Sequence, residues 1–210
     1  GTYTGDKGFK SGTSLLHSGG FSFIGAGNGL TIFDYSATHN NYFASISMST
    51  ISNKTITIKD IQFKGYSSTN ASYGSVITFS GNNGGGIGNS LTLNNVIFSA
   101  NGYATTSMPC LYINGYTTFT MTGGAFECGG RTNTGTGTYN GTCIQIAGTN
   151  NSVTSTLTNV AFVGNYGYYV GSSTSQPCSM INLLANSPVT QGGNTSFTLN
   201  NCLFDNNVLD

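Results

Sequence analysis

The chain has 210 residues, a formal net charge of zero and only 6% charged side chains, against about 25% in an ordinary globular domain. Six Lys+Arg exclude the basic stripe with which a nucleic-acid binder displaces counterions, and no apolar run nears the ~18 residues of a membrane-spanning helix. Polarity comes from neutral groups, 55 Ser+Thr, 25 Asn and 31 Gly, while 13 Phe and 12 Tyr supply a core, unlike a charge-rich, aromatic-poor disordered chain.

Residues 1–17 are rich in Gly, Thr and Lys and read as an N-terminal extension or cap, with one elongated domain over 18–210. A partial first coil, Phe21–Phe33, opens that domain. Five superimposable segments follow: TITIKDIQF (55–63), SLTLNNVIF (90–98), TFTMTGGAF (118–126), TSTLTNVAF (154–162) and SFTLNNCLF (196–204). Their closing rings, Phe63, Phe98, Phe126, Phe162 and Phe204, are 35, 28, 36 and 42 residues apart, a period that marks a solenoid whose units bury their apolar faces only by stacking.

Each segment begins with strict alternation, as in Ile56/Ile58, Leu91/Leu93 and Phe197/Leu199, which is the strand signal. The parity then slips at Asp60, Asn95, Gly123, Asn159 and Asn201, residue types that tolerate left-handed backbone. A corner is expected there, followed by a second short strand. A third strand family lies upstream of the repeats: 75–81, 110–116, 143–149 and 178–184. Its inward columns read Ile77/Leu111/Ile144 and Phe79/Ile113/Ile146/Ile181. Three strands per turn describe an all-β, right-handed parallel β-helix of about five full coils plus the partial one, a rod about 25–30 Å long at ~4.8 Å per coil. The phenylalanines stack inside it. A sandwich or propeller needs tight Asn-Gly hairpins between alternating runs, and these are scarce.

The first coil, SGGFSFIGAGNGLTIF (18–33), the F-x-x-N closures Phe98–Asn101, Phe162–Asn165 and Phe204–Asn207, and the tripeptide Gly123–Ala125 resemble right-handed β-helices of the pectin-lyase-like class. They are most similar to surface solenoids typified by chlamydial polymorphic outer-membrane proteins. The resemblance spans most of residues 18–207 and implies a solenoid of the cell surface. Phe63 and Phe126 lack the following Asn, a departure from the pattern.

Lyases and hydrolases of that fold class gather acids with His, Lys or Arg on one face. Here Asp6, Asp34, Asp60, Glu127, Asp205 and Asp210 are scattered along the rod, and no two acids fall in one column of neighbouring coils. Neither a carboxylate pair nor an acidic metal cluster is indicated. His17 and His39 have no Cys or acid at ligand spacing and read as solvated loop residues. Gly84–Gly86 is not followed by the Lys of a phosphate loop. The expectation is a protein without enzymatic activity or cofactor.

The outward columns are regular. Threonine recurs at Thr57, Thr92, Thr120, Thr156 and Thr198, flanked by Thr55, Ser90, Thr118, Thr154 and Ser196, and on the other side by Lys59, Asn94, Thr122, Thr158 and Asn200. Thr is a favoured outward strand residue, and its laddering follows from the fold. The sharper reading is an ice-binding lattice. A carbohydrate-binding module is another alternative, with Tyr103, Tyr112, Tyr116, Tyr166, Tyr168 and Tyr169 as stacking candidates and no Trp. N-x-S/T sequons at Asn53, Asn70, Asn140, Asn150 and Asn194 fall in expected loops and are candidate glycan acceptors.

Five cysteines in a loop-rich chain point to an oxidising compartment. Cys110, Cys143 and Cys178 begin the upstream strand of three successive coils, and Cys128 lies just beyond Phe126. The expected bridges are Cys110–Cys128 and Cys143–Cys178, with Cys128–Cys143 as the rival, leaving Cys202 as a free thiol in the Val96/Val160 column. Residues 196–204 form a whole repeat with only Asp205–Asp210 after it, and Gly1–Leu16 holds no amphipathic lid. An uncapped solenoid exposes strand edges. The resulting expectation is an extracellular or cell-surface structural protein, glycosylated on its loops, whose partner is itself in a head-to-tail fibre. A fragment of a longer adhesin is the alternative.

Overall fold

A computed structural model of the chain describes residues 2–4, 15–16, 20–27, 29–34, 44–47, 52–66, 75–80, 88–100, 109–114, 117–127, 130–133, 143–147, 153–169, 180–184 and 195–209. Among them there are twenty strands and no helix. The strands are β1 (Thr2–Thr4), β2 (Leu15–Leu16), β3 (Phe21–Ile24), β4 (Ile32–Asp34), β5 (Ala44–Ser47), β6 (Thr55–Lys59) and β7 (Gln62–Lys64). There follow β8 (Ile77–Ser80), β9 (Asn89–Ser99), β10 (Leu111–Asn114), β11 (Thr117–Glu127), β12 (Gly130–Asn133), β13 (Ile144–Ala147) and β14 (Val153–Thr158). The last six are β15 (Ala161–Val163), β16 (Tyr166–Tyr169), β17 (Ile181–Leu184), β18 (Thr195–Asn200), β19 (Leu203–Asp205) and β20 (Val208–Leu209).

They form sheets of eleven, six and three strands, and each strand pairs in parallel with its counterpart one turn away. This in-register parallel stacking is a parallel β-solenoid. The repeat segments build the largest sheet, where β9 and β11 run unbroken through the corner that separates β6 from β7 and β14 from β15. The upstream strands build the six-stranded sheet, β17-β13-β10-β8-β5-β2. The three-stranded sheet, β12-β16-β20, follows the phenylalanine of each later repeat.

The corner has the backbone its residues imply: Asp60, Asn95, Gly123, Asn159 and Asn201 have φ of 57°, 53°, 65°, 56° and 50°. A side-chain ladder braces it. Asn95 Nδ2 donates to Asp60 Oδ1 at 2.8 Å, and Asn201 Nδ2 to Asn159 Oδ1 at 2.7 Å. Gly123 interrupts the ladder. Its neighbour Gly124 sits in register with Val96 at φ 88°, and a Cβ there would lie 2.1 Å from the Val96 carbonyl oxygen. Only glycine fits.

Inside, register turns sequence repeats into columns. Phe33, Phe63, Phe98, Phe126, Phe162 and Phe204 stack with ring centroids 5.8, 5.5, 4.9, 5.1 and 4.6 Å apart, the last three contacts within 10° of parallel. Four of the five expected rings are fully enclosed, but Phe204 is 47% exposed because no described turn covers its outer face. In the six-stranded sheet Ile181 pairs with Ile144, and Leu183 with Ile146. The expected column is therefore two residues out at its last member: Met180, not Cys178, takes the register position of Cys143, so spacing from Cys178 misplaces the strand. Beyond the rings, Asn165 and Asn207 close their turns. Asn165 Nδ2 donates to the Phe126 carbonyl at 2.8 Å, and Asn207 Nδ2 to the Phe162 carbonyl at 2.7 Å. Asn207 Oδ1 also accepts from the Asn165 backbone N–H and side-chain amide.

Replacing Phe98 or Phe162 by Ala is expected to cost about 3–5 kcal/mol in denaturant unfolding, and Phe204→Ala clearly less; equal losses at all three would contradict the stack. Ser155 gives a prediction of opposite sign. It occupies the Phe119/Phe197 column, fully buried, with no hydrogen-bond partner for its Oγ. Ser155→Ala should stabilise the protein by about 1 kcal/mol, since an unsatisfied buried hydroxyl is lost. A destabilised variant would show the hydroxyl to be paired.

Candidate functional site

The outward face of the large sheet is the regular array its sequence implies. Ser22, Thr57, Thr92, Thr120, Thr156 and Thr198 share one column. Thr55, Ser90, Thr118, Thr154 and Ser196 share the next. The hydroxyls are not all free for a ligand, because Thr55 Oγ1 and Ser90 Oγ hydrogen-bond to each other at 2.8 Å. Lys59, Asn94, Thr122, Thr158 and Asn200 form the flanking column, and Ile24 extends it with an exposed apolar side chain.

The acids remain apart. Register places Asp34, Glu127 and Asp205 in one column, but Lys64 and Ser99 separate the first two and Val163 the last two. Glu127 and Asp205 are thus two strand spacings apart, ~9.6 Å. Asp34 pairs with Lys64 at 3.4 Å, and Asp60 with Lys59 at 3.7 Å. Both pairs are partly exposed and contribute little to stability. No group of three or more His, Cys, Asp or Glu that could hold a metal occurs among the described residues. His17, His39, Asp6 and Asp210 lie outside those residues, as do Tyr103 and Tyr116. Tyr166, in β16, is half-exposed, and Tyr112 is partly covered.

Of the sequons, Asn53 is described. It is exposed, at φ 55° in the turn before β6, with its side chain close against Gly88. Asn70, Asn140, Asn150 and Asn194 lie outside the described residues.

The cysteines depart from expectation. Cys110 and Cys143 are free and buried, so the expected bridges from these residues are absent; Cys128 and Cys178 lie outside the described residues. Register explains the outcome. The backbone bonds Ile77 N–H to Cys110, Leu111 N–H to Cys143 and Ile144 N–H to Met180 align Val76, Cys110, Cys143 and Met180 in one inward column. The turn-to-turn neighbour of Cys143 is therefore Met180, whose Sδ lies 3.7 Å from its Sγ. Cys110 and Cys143 are themselves in-register neighbours one strand spacing apart, ~4.8 Å, and both are free. Burial lifts the Cys110 thiol from its ordinary 9.0 to about 12. Burial, then the neighbouring Cys110, lifts Cys143 well above the ordinary range. Cys202 is also free and partly covered, in the Val160 column, with Sγ 3.6 Å from the Leu157 carbonyl. Sequence reasoning misses this run of four inward side chains, three of them sulfur-bearing. Its signal is a sulfur-bearing residue directly before an aliphatic one, repeated at Cys110–Leu111, Cys143–Ile144 and Met180–Ile181.

No protein-family model, curated protein or solved structure gives a significant match to this chain. The parallel solenoid therefore rests on the register of its strands alone.

Raised thiol pKa values fix a pH dependence. Above ~9 the unfolded chain loses thiol protons that the folded chain keeps. This stabilising contribution is fully present at neutral pH and is lost as pH climbs from about 9 toward 12. At neutral pH native Cys110 and Cys143 should resist iodoacetamide while Cys202 labels first, as read by peptide mass mapping. Rapid native labelling of Cys110 would contradict the buried column.

Proposed function

We propose that this protein is a non-enzymatic structural protein of the cell exterior, a right-handed β-helix of about five coils that assembles head to tail. One observation carries the reading: the last described turn presents an apolar, unpaired edge. Leu199, Leu203, Phe204 and Val208 are 44%, 54%, 47% and 59% exposed, and Leu183, at the same end of the six-stranded sheet, 46%. Leu199, Phe204 and Leu183 occupy columns that are closed in the preceding turn, where Leu157, Phe162 and Ile146 are fully buried, whereas Leu203 and Val208 continue the partly exposed positions of Ala161 and Tyr166. Among the described residues β18 pairs with β14 alone and β19 with β15 alone, so among them one edge of each is open to a further parallel strand.

The opposite end offers a counterpart. Among the described residues β3 pairs with β6 alone, Phe21 and Phe23 are partly buried, and Ile24 and Leu30 are exposed. A contact between two different ends of one chain is heterologous and does not close, so it propagates as a filament. Zero net charge imposes little repulsion on that contact. The exposed sequon at Asn53 agrees with a secretory route and a glycan carried clear of both ends.

Electron microscopy of the native material tests this. Fibres are expected, with an axial repeat near the ~25–30 Å rod length. Leu199→Asp with Phe204→Asp should leave monomers that keep their β-sheet circular dichroism. A monodisperse wild-type monomer at high concentration would refute self-assembly. A longer native polypeptide would replace it with continuation of the solenoid in one chain.

A further inference from the structure

We propose that the acceptor for the apolar end is the outer edge of β2, β3 and β4, taken in one register by β17, β18 and β19 of a second copy, with β1 displaced to admit them. The proposal rests on head-to-tail assembly and names the strands that meet. Strands β17, β18 and β19 lie in one turn, each paired among the described residues with the preceding turn alone. At the other end β2 and β3 pair with β5 and β6 alone among those residues. The exception is β4. It pairs with β7 on one side and β1 on the other, and Tyr3 takes the register position next to Phe33.

This end is therefore stepped, with β1 one strand spacing, ~4.8 Å, beyond β2 and β3. A partner whose β19 stacked on β1 would hold its β17 and β18 two spacings, ~9.6 Å, from β2 and β3. The slot between them would be one strand deep and would leave the half-covered Phe21, Phe23 and Phe197 and the exposed Leu199 unburied. Displacing β1 makes both ends flush. Three residues of β19 then replace the three of β1 on β4, and two further ladders form, β17 on β2 and β18 on β3.

The columns continue through such a joint. Leu183 falls opposite Leu15, and Phe197 and Leu199 fall opposite Phe21 and Phe23. Phe204 falls opposite Phe33. Each apolar residue gains an apolar neighbour, as it would inside the rod. One pair opposes the joint: Asp205 falls opposite Asp34, which already meets Lys64 at 3.4 Å, and like charges directly opposite weaken a ladder. In a stepped joint Asp205 would meet Thr4 instead.

The axial repeat separates the two joints. Six turns, one for each ring of the phenylalanine stack, give ~29 Å per copy in the flush joint, and a seventh turn carried by β1 gives ~34 Å in the stepped one. Electron microscopy of wild-type fibres should show the shorter repeat. Thr2→Pro with Tyr3→Pro removes a ladder N–H from β1, since adjacent residues face opposite sides, and should shorten the assembly lag about fivefold. Asp205→Lys should lower the critical concentration about fivefold by turning repulsion from Asp34 into attraction. If the proline variant loses its β-sheet circular dichroism, the repeat and Asp205→Lys decide. Fibres with the longer repeat, an unchanged or longer lag in a folded proline variant, or indifference to Asp205→Lys would overturn the flush joint and leave head-to-tail assembly standing. Fibres from the proline variant alone would support the joint, with β1 as its block. No fibres from the wild type or either variant would overturn assembly itself.

Discussion

Every sheet of this molecule answers to the same constraint, the ~4.8 Å spacing at which one parallel strand hydrogen-bonds to the next. A side chain that points inward meets the side chain at its own register position one turn before and one turn after. An inward position must therefore accept something like itself as a neighbour. The phenylalanine stack is the clearest result, with rings 4.6–5.8 Å apart through six turns. Aromatic rings prefer an offset stack with centroids about 4.5–7 Å apart to a perfect sandwich, and the ladder spacing delivers that arrangement. Polar positions obey the same rule. Asn207 accepts from Asn165 and donates to the Phe162 carbonyl, so one amide serves two turns.

Exceptions to self-similarity show what the ladder tolerates. Gly124 replaces valine in its column because its backbone approaches Val96 too closely for a Cβ. Gly123 removes the corner amide that Asn95 and Asn159 would otherwise share. Ser155 puts a hydroxyl where its neighbours are Phe119 and Phe197. Each substitution weakens a column without shifting its register, because backbone hydrogen bonds and the flanking columns hold the strand. Cooperative support between columns lets such a varied sequence keep one fold.

The same rule determines how much of the fold is legible in the order of the amino acids. The large sheet is legible because its segments have fixed length between the first alternating residue and the closing phenylalanine. Its corner is legible because parity slips at residues suited to positive φ. The six-stranded sheet is legible only in part: variable loops separate its strands from the repeats, so spacing puts Ile181 one pleat period away from its true partner. The three-stranded sheet leaves no signal, since Gly130–Asn133, Tyr166–Tyr169 and Val208–Leu209 share no pattern; their alignment comes from the Phe and Asn positions before them. Cysteine pairing is illegible for a related reason. The strand of Cys110 and Cys143 can be located, but Cys143 faces Met180 by register, and bridging partners cannot be inferred from shared strands without it. Function is least legible, because outward threonines are what such a strand carries whether or not anything binds them.

A solenoid cannot end without leaving its repeating interaction unfinished. Leu157, Phe162 and Asn165 are each completed by a residue of the following turn: Leu199, Phe204 and Asn207. Among the described residues nothing plays that part for these last three. Leu199 and Phe204 are thus the ordinary inward surface of a turn, exposed at the last described one. That distinguishes them from a surface patch of arbitrary shape, since their complement is already specified: a parallel strand in the same register, with apolar side chains at every second position. A flat lid or a globular partner would cover the side chains and still leave strand edges of β18 and β19 to be matched by bonds of the right spacing. Another β-coil satisfies both requirements at once, and for that reason the stacking that builds the molecule is also the interaction best suited to extend it.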